Sequence, residues 1–164
     1  MDLFKKIKKD KNLPIVFNIN RVIMPHPPAE GEQKELKCWM KLLIKRGQVL
    51  KWLSPFEAKP AGAGFWEIEV PPSEQFKKFC RFSFDSKKGA YSKKLASIEV
   101  HYSCFSMKDK FQKIHAFDID MAQYLNDKNV GAEKIIHSQD DVVLKCDSGP
   151  AQGLKIMMEL EIGS

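Results

Sequence analysis

The stretch LASIEVHYSCF, residues 95–105, constrains the fold of this chain more than any other. Ala96, Ile98, Val100, Tyr102 and Cys104 fall on one face, and Ser97, Glu99, His101 and Ser103 on the other. Side chains alternate across a strand, so a period of two buries one side of a sheet and leaves the other in water. The same alternation recurs along the chain, and no helical stripe of comparable length competes with it. The chain is therefore expected to be all-β.

Residues 13–23 set Ile15, Phe17 and Ile19 against Asn18 and Asn20. Residues 35–46 set Leu36, Cys38, Met40, Leu42 and Ile44 inward and Lys37, Lys41 and Lys45 outward. Trp39 and Leu43 share the lysine face, which predicts that part of it is covered. Arg46, Gly47 and Gln48 read as a turn into a short strand near 49–53, and residues 55–64, rich in Pro, Ala and Gly, read as a loop. Strands near 65–70 and 80–84 come next, then a hairpin turn at 85–89, the 95–105 strand and an extended 111–121 segment. A short helical turn is expected near 121–126, and strands at 142–146 and 154–162 close the chain. About eight short strands separated by turn signals predict an antiparallel two-sheet β-sandwich. No repeat or linker divides residues 1–164, which are read as one domain forming the N-terminal part of a longer protein.

The chain has 164 residues, 43% of them apolar and eleven of them Phe, enough to bury a proper core. Its apolar runs fall far short of the roughly twenty residues of a transmembrane helix. The lysine-rich start lacks the apolar core of a secretory signal. A cytoplasmic protein, peripheral to membrane or associated with cytoskeleton, is expected. Cys38, Cys80, Cys104 and Cys146 are widely spaced and each occupies an apolar phase. That pattern favours reduced core thiols over disulfides or a zinc site. The net charge of +6 suits an anionic membrane, nucleic acid or an acidic partner without choosing among them.

Four segments taken in order, FNINRV at 17–22, CWMKLLIKRG at 38–47, GFWE at 64–67 and IHAFDIDMAQY at 114–124, resemble the landmarks of one family. It is the N-terminal type of C2 domain, which opens many eukaryotic scaffold and trafficking proteins. Leu144 and the 154–162 strand complete the resemblance, which spans nearly the whole chain. Ala116 stands where the family usually carries glycine. The resemblance implies a C2-like sandwich that serves as a peripheral membrane or adaptor module without enzymatic activity.

Calcium-dependent members of that fold clamp the ion between loop aspartates, and Ca²⁺ takes about six to eight oxygen ligands. Where the family places its D-x-D this chain has His101, Tyr102, Ser103 and Cys104, with Asp109 nearby. Asp118 and Asp120 alternate with Phe117, Ile119 and Met121, as the polar face of a strand does. A calcium-independent domain with no metal and no cofactor is expected. The chain contains no G-x-S-x-G elbow, phosphate-cradling G-x-x-x-x-G-K or H-E-x-x-H. His26, His101, His115 and His137 are read as surface or structural residues, so no catalytic site is expected. Aromatics are not interleaved with the basic residues, which argues against nucleic acid.

The lysines carry the remaining signal. Lys37, Lys41 and Lys45 align on one strand face with Arg46 and Lys51 close in sequence, and Lys87, Lys88, Lys93 and Lys94 bracket a hairpin turn. Such a set serves as a solvated face that discourages edge pairing, or as a docking surface for anionic phospholipid and phosphoinositide headgroups. The first functional reading is a module that attaches a larger protein to membrane through these cations. The alternative is a protein–protein interaction domain of a cytoskeletal or trafficking scaffold, with Trp39, Leu43 and Met157 as contact residues.

Overall fold

β1 (Lys11–Pro25) is the spine of the molecule, and its burial pattern shows how the chain turns a corner. Ile15, Phe17 and Ile19 are buried; beyond them the buried phase passes to Val22 and Met24. The change falls where the register against β13 (Lys155–Ile162) slips between Ile19 and Arg21. One extra residue in a strand bends it and sharpens its twist, so a single strand serves two parts of the sheet. The computed structural model describes residues 10–25, 38–62, 65–71, 73–104, 111–125, 135–137, 142–149 and 151–163.

β2 (Cys38–Arg46) is the second long organiser. One of its edges pairs with β9 (Leu95–Cys104), which in turn pairs with β10 (Gln112–Asp120). The other edge pairs with β3 (Val49–Trp52) near the Arg46 end and with β4 (Phe56–Gly62) near the Cys38 end. β4 then pairs with β5 (Phe65–Glu69), and β5 with residues 21–25 of β1. Residues 11–17 of β1 pair instead with β6 (Phe76–Phe82). A two-stranded hairpin, β7 (Phe84–Asp85) and β8 (Ala90–Tyr91), follows β6. β11 (Ile135–His137) and β12 (Val143–Lys145) both lie against β13. All these pairings are antiparallel and join eleven strands into one nearly closed, barrel-like sheet around a single core.

The sheet is continuous through β4 and β5 but splits beside them. β3 stays with β2 and β6 with β1, and among the described residues no ladder joins β3 to β6. Side chains span the split instead: Lys51 Nζ donates to the Gln75 carbonyl and Ser54 Oγ to the Glu74 carboxylate.

The all-β expectation holds, and the alternation at 95–105 is obeyed at Ala96, Ile98 and Val100, which are buried. Phe17, Phe76, Phe82, Met40, Ile98 and Ile119 are among the largest fully buried side chains; burying one such residue stabilises by about 1.5–3 kcal/mol. The helical turn is a 3₁₀ turn, Met121–Tyr124, capped by Asp120, whose carboxylate accepts from Ala122 N at 3.1 Å.

Three expectations are corrected. Residues 56–62 form β4 rather than a loop: Ala58 is buried and Phe56 half-buried while Glu57 and Lys59 face water. Pro60 is accommodated because the register against β5 slips between Pro60 and Gly62, and proline is tolerated at bulges. β11 falls in a polar stretch that carried no strand signal. Cys38 is disulfide-bonded rather than reduced, and Cys104 stands directly opposite it across the β2–β9 ladder. Cys80 and Cys146 are free and buried, as expected. Among the described residues no helix is long and apolar enough to cross a membrane.

Candidate functional site

The outward face of β2 is an organised layer rather than a row of free lysines. Lys41 Nζ sits 4.3 Å from the Trp52 ring centroid and 4.5 Å from that of Phe111, clamped between two π faces. His101 meets Trp52 edge-on at 5.0 Å. Lys45 pairs at 2.5 Å with Glu99, directly across the ladder from Leu43, and Glu99 Oε1 also meets His101 Nε2 at 3.0 Å. Glu99 is only 7% exposed although it lies on the polar face. Lys45 beside it holds its carboxyl below the usual range, against burial, with His101 helping. Lys41 and Lys45 are therefore engaged by neighbours. Lys37 lies outside the described residues.

Leu43 shares this layer but is buried, set in register between Trp52 and Glu99, so it offers no contact surface. Trp39 is half-buried and lines a groove of about 600 Å³ with Pro55, Phe56, Glu57, Lys59, Glu67 and Glu69. Glu67 is held there by Arg21 at 2.5 Å. Met157 is half-buried in β13, between Arg21 and Val143, and does not line that groove.

The other predicted cations go elsewhere. Arg46 continues the buried phase of Cys38, Met40, Leu42 and Ile44 and reaches the split between β3 and β6. Lys51 occupies the matching position on β3, opposite Ile44. Lys94 lies two residues before buried Ala96. On β6, Lys78 stands between buried Phe76 and Cys80. Burial pushes the Cys80 thiol up even though Arg46, Lys94 and Lys78 pull it down. Lys94 is pushed down, first by burial and then by Arg46, against an opposing pull from Cys80 and with Arg81 and Lys78 adding to the fall. Arg46, Lys78 and Lys94 thus feel one another's charge.

Exposed apolar side chains adjoin two of these cations. Val49 and Leu50, paired with Arg46 and Lys45, are 38% and 57% exposed, and Leu95, beside Lys94, is 40% exposed. The register of β9 against β2 carries Leu95 past Lys45 to the Gly47 turn, where Gly47 takes φ 61°. Phe79, 65% exposed, lies on β6 between Lys78 and Cys80 in sequence.

Lys87, Lys88 and Lys93 are exposed at and beyond the β7–β8 hairpin. The hairpin is ordered by Phe84 against Tyr91 at 5.3 Å and by Asp85 Oδ1, which accepts from Lys87 N at 2.9 Å.

The predicted cations within the described residues fall into three groups: the engaged face of Lys41 and Lys45, the end with Arg46, Lys51 and Lys94, and the exposed hairpin region with Lys87, Lys88 and Lys93. Lys78, Arg81, Val49, Leu50, Leu95 and Phe79 were missed as site residues. The available signal was Lys78 on the same phase as Phe76, Cys80 and Phe82. No protein-family model matches the chain, and no curated protein matches it.

Proposed function

We propose that this chain is a non-enzymatic, calcium-independent C2-like module that attaches a larger protein to anionic phospholipid membrane. The observation that carries the reading is the end where Arg46, Lys78 and Lys94 lie beside exposed Val49, Leu50 and Leu95. A cation near an anionic leaflet contributes about 1 kcal/mol, and shallow insertion of aliphatic side chains adds apolar burial. Three cations and three aliphatics give useful affinity that salt weakens. Lys87, Lys88 and Lys93 extend the field; Lys41 and Lys45, held by Trp52, Phe111 and Glu99, are secondary.

Vesicle cosedimentation tests this. Binding rises with phosphatidylserine or phosphoinositide content, falls with salt, and is unchanged by calcium chelation. Lys93→Glu/Lys94→Glu and Leu50→Ser each weaken it while leaving the circular dichroism unaltered. Equal pelleting with neutral and anionic vesicles refutes the reading.

One observation favours the alternative, an interaction domain of a scaffold: the groove beside Trp39. Concentration-dependent self-association that Trp39→Ala abolishes, without vesicle binding, selects it.

A further inference from the structure

β4 serves two neighbours in turn, and the handover leaves a notch. Phe56, Glu57 and Ala58 pair with Met40, Trp39 and Cys38 of β2, whereas Lys59 and the residues after it pair with β5. Continued by two residues, the β4–β5 register would set Glu57 opposite Glu69. Among the described residues that ladder stops at Lys59 and Glu67, so the two strands part there. The groove of about 600 Å³ lies at the parting, with Glu57, Glu69 and Trp39 all in its lining. Its size falls in the range of about 300–1,000 Å³ usual for ligand sites.

The carboxylates of the groove are unequally answered. Arg21 stands opposite Glu69 in the β1–β5 ladder, yet its Nε and Nη2 both donate to Glu67 Oε2, at 3.1 and 2.5 Å. Lys59 also stands across from Glu67. Glu57 and Glu69 are exposed, and among the described residues no cation pairs with either. A chain of net charge +6 thus holds two unanswered carboxylates in one groove, where they repel each other. A hard metal ion is a poor match for them: it takes about six or more oxygen ligands, and among the described residues no group of three ligating side chains could hold one. An organic cation fits better. Trp39 gives it a ring to stack on, as Lys41 stacks on Trp52 and Phe111 along the same face of β2. Pro55 and Phe56 give its aliphatic stem an apolar wall.

We propose that this groove holds an arginine- or lysine-bearing segment of a partner protein, its cation between Glu57 and Glu69 and against Trp39. Charge complementarity selects the occupant, and Lys59 in the lining is the native competitor for the same carboxylates. The proposal rests on the interaction reading, whose groove it assigns to one kind of partner. It does not rest on vesicle docking, since none of the cations and aliphatics invoked there lines this groove.

The test follows a fluorophore-labelled peptide, Ala-Arg-Ala-Arg-Ala, by polarisation against the full chain, beside versions with lysine, citrulline or glutamate in place of arginine. Saturable binding of the arginine and lysine peptides, weakened by salt, is expected. The citrulline and glutamate peptides should bind at least about tenfold more weakly, and so should the arginine peptide to Glu57→Gln/Glu69→Gln. Trp39→Ala should weaken binding, and Lys59→Gln should tighten it by removing the competitor. Without peptide, Glu57→Gln/Glu69→Gln should melt no lower than the unaltered protein, because a repulsion is removed. Failure of both basic peptides to bind overturns the proposal, as does equal binding by the citrulline peptide or by the folded double variant. Sedimentation velocity of the peptide-free protein tests a second copy as occupant. Self-association that the double variant abolishes and the arginine peptide does not displace overturns a basic partner and leaves the interaction reading intact. Vesicle pelleting without peptide binding overturns the proposal and keeps docking; peptide binding without pelleting does the reverse.

Discussion

Replacing Lys45 with Met removes the cation that answers Glu99, and the structure sets the size of the loss. The Glu99 side chain is 9% exposed and that of Lys45 38%, so one charge is inside and its partner reaches water. Breaking a fully buried pair costs about 3–5 kcal/mol, whereas an exposed pair is worth about 0.2–1 kcal/mol. This pair lies between those limits, and His101 Nε2 remains 3.0 Å from Glu99 Oε1. Lys45→Met should therefore cost about 1–2 kcal/mol at pH 7. The pH dependence gives an independent check. The Glu99 carboxyl is depressed below its ordinary value of 4.5, chiefly by Lys45. A depressed carboxyl stabilises the fold above that ordinary value, and the stabilisation is lost as pH falls through the lower native value. Without Lys45, burial acts against only His101 and the charge of Lys113, so the carboxyl rises and the acid-side loss shrinks. Urea unfolding at pH 7 and pH 4 measures both effects for Lys45→Met, Glu99→Gln and the double variant. The double variant should be less destabilised than the two losses summed, since it leaves no unanswered charge behind. A coupling energy below about 0.3 kcal/mol, with an unchanged acid limb, refutes the reasoning.

Two further perturbations probe the frame that holds this layer. Asp120→Ala removes the acceptor that caps the 3₁₀ turn and ties Lys94 N to it, and should cost about 1–2 kcal/mol in thermal or urea unfolding. Cys38→Ala should cost about 2–4 kcal/mol by removing a cross-link between distant parts of the chain. Reductant should lower the unfolding midpoint of the unaltered protein toward that of Cys38→Ala, and leave the variant itself unmoved.

Much of the fold was legible because its signal is local. The alternation of Ala96, Ile98 and Val100, and that of Leu154, Ile156, Met158 and Leu160, needs only a period of two, and these positions are buried. The Gly47 turn and the Asp85–Gly89 hairpin were legible because turn residues act through their own backbone. What failed was pairing, which no short window contains. β4 lacks β-branched residues and includes Pro60, so its composition reads as loop, and only the edges of β2 and β5 make it a strand. The disulfide at Cys38 was hidden in the same way. Cys38 and Cys104 lie far apart in sequence and face each other only once β2 and β9 are in register. The candidate face was half legible: Lys41 and Lys45 do point outward, but their partners Trp52, Phe111 and Glu99 come from three other segments.

The end with Arg46 exposes a weakness in equating the buried phase with apolar residues. In a small closed barrel filled by side chains, an inward cation without a partner is costly. This sheet parts between β3 and β6, and inward positions beside the gap open onto a rim. Ile44 is therefore followed by Arg46 on the inward phase of β2, and Phe76 by Lys78 on β6. Taken singly, Arg46 and Lys94 look like strand ends and Lys78 like a blemish in an apolar row. Only the pairing of β3 on β2 and of β6 along β1 sets Arg46 and Lys78 on the two strand groups that flank the gap. In this chain the cations that break the apolar phase of β2 and β6 thus sit on strands that flank the place where the sheet fails to close.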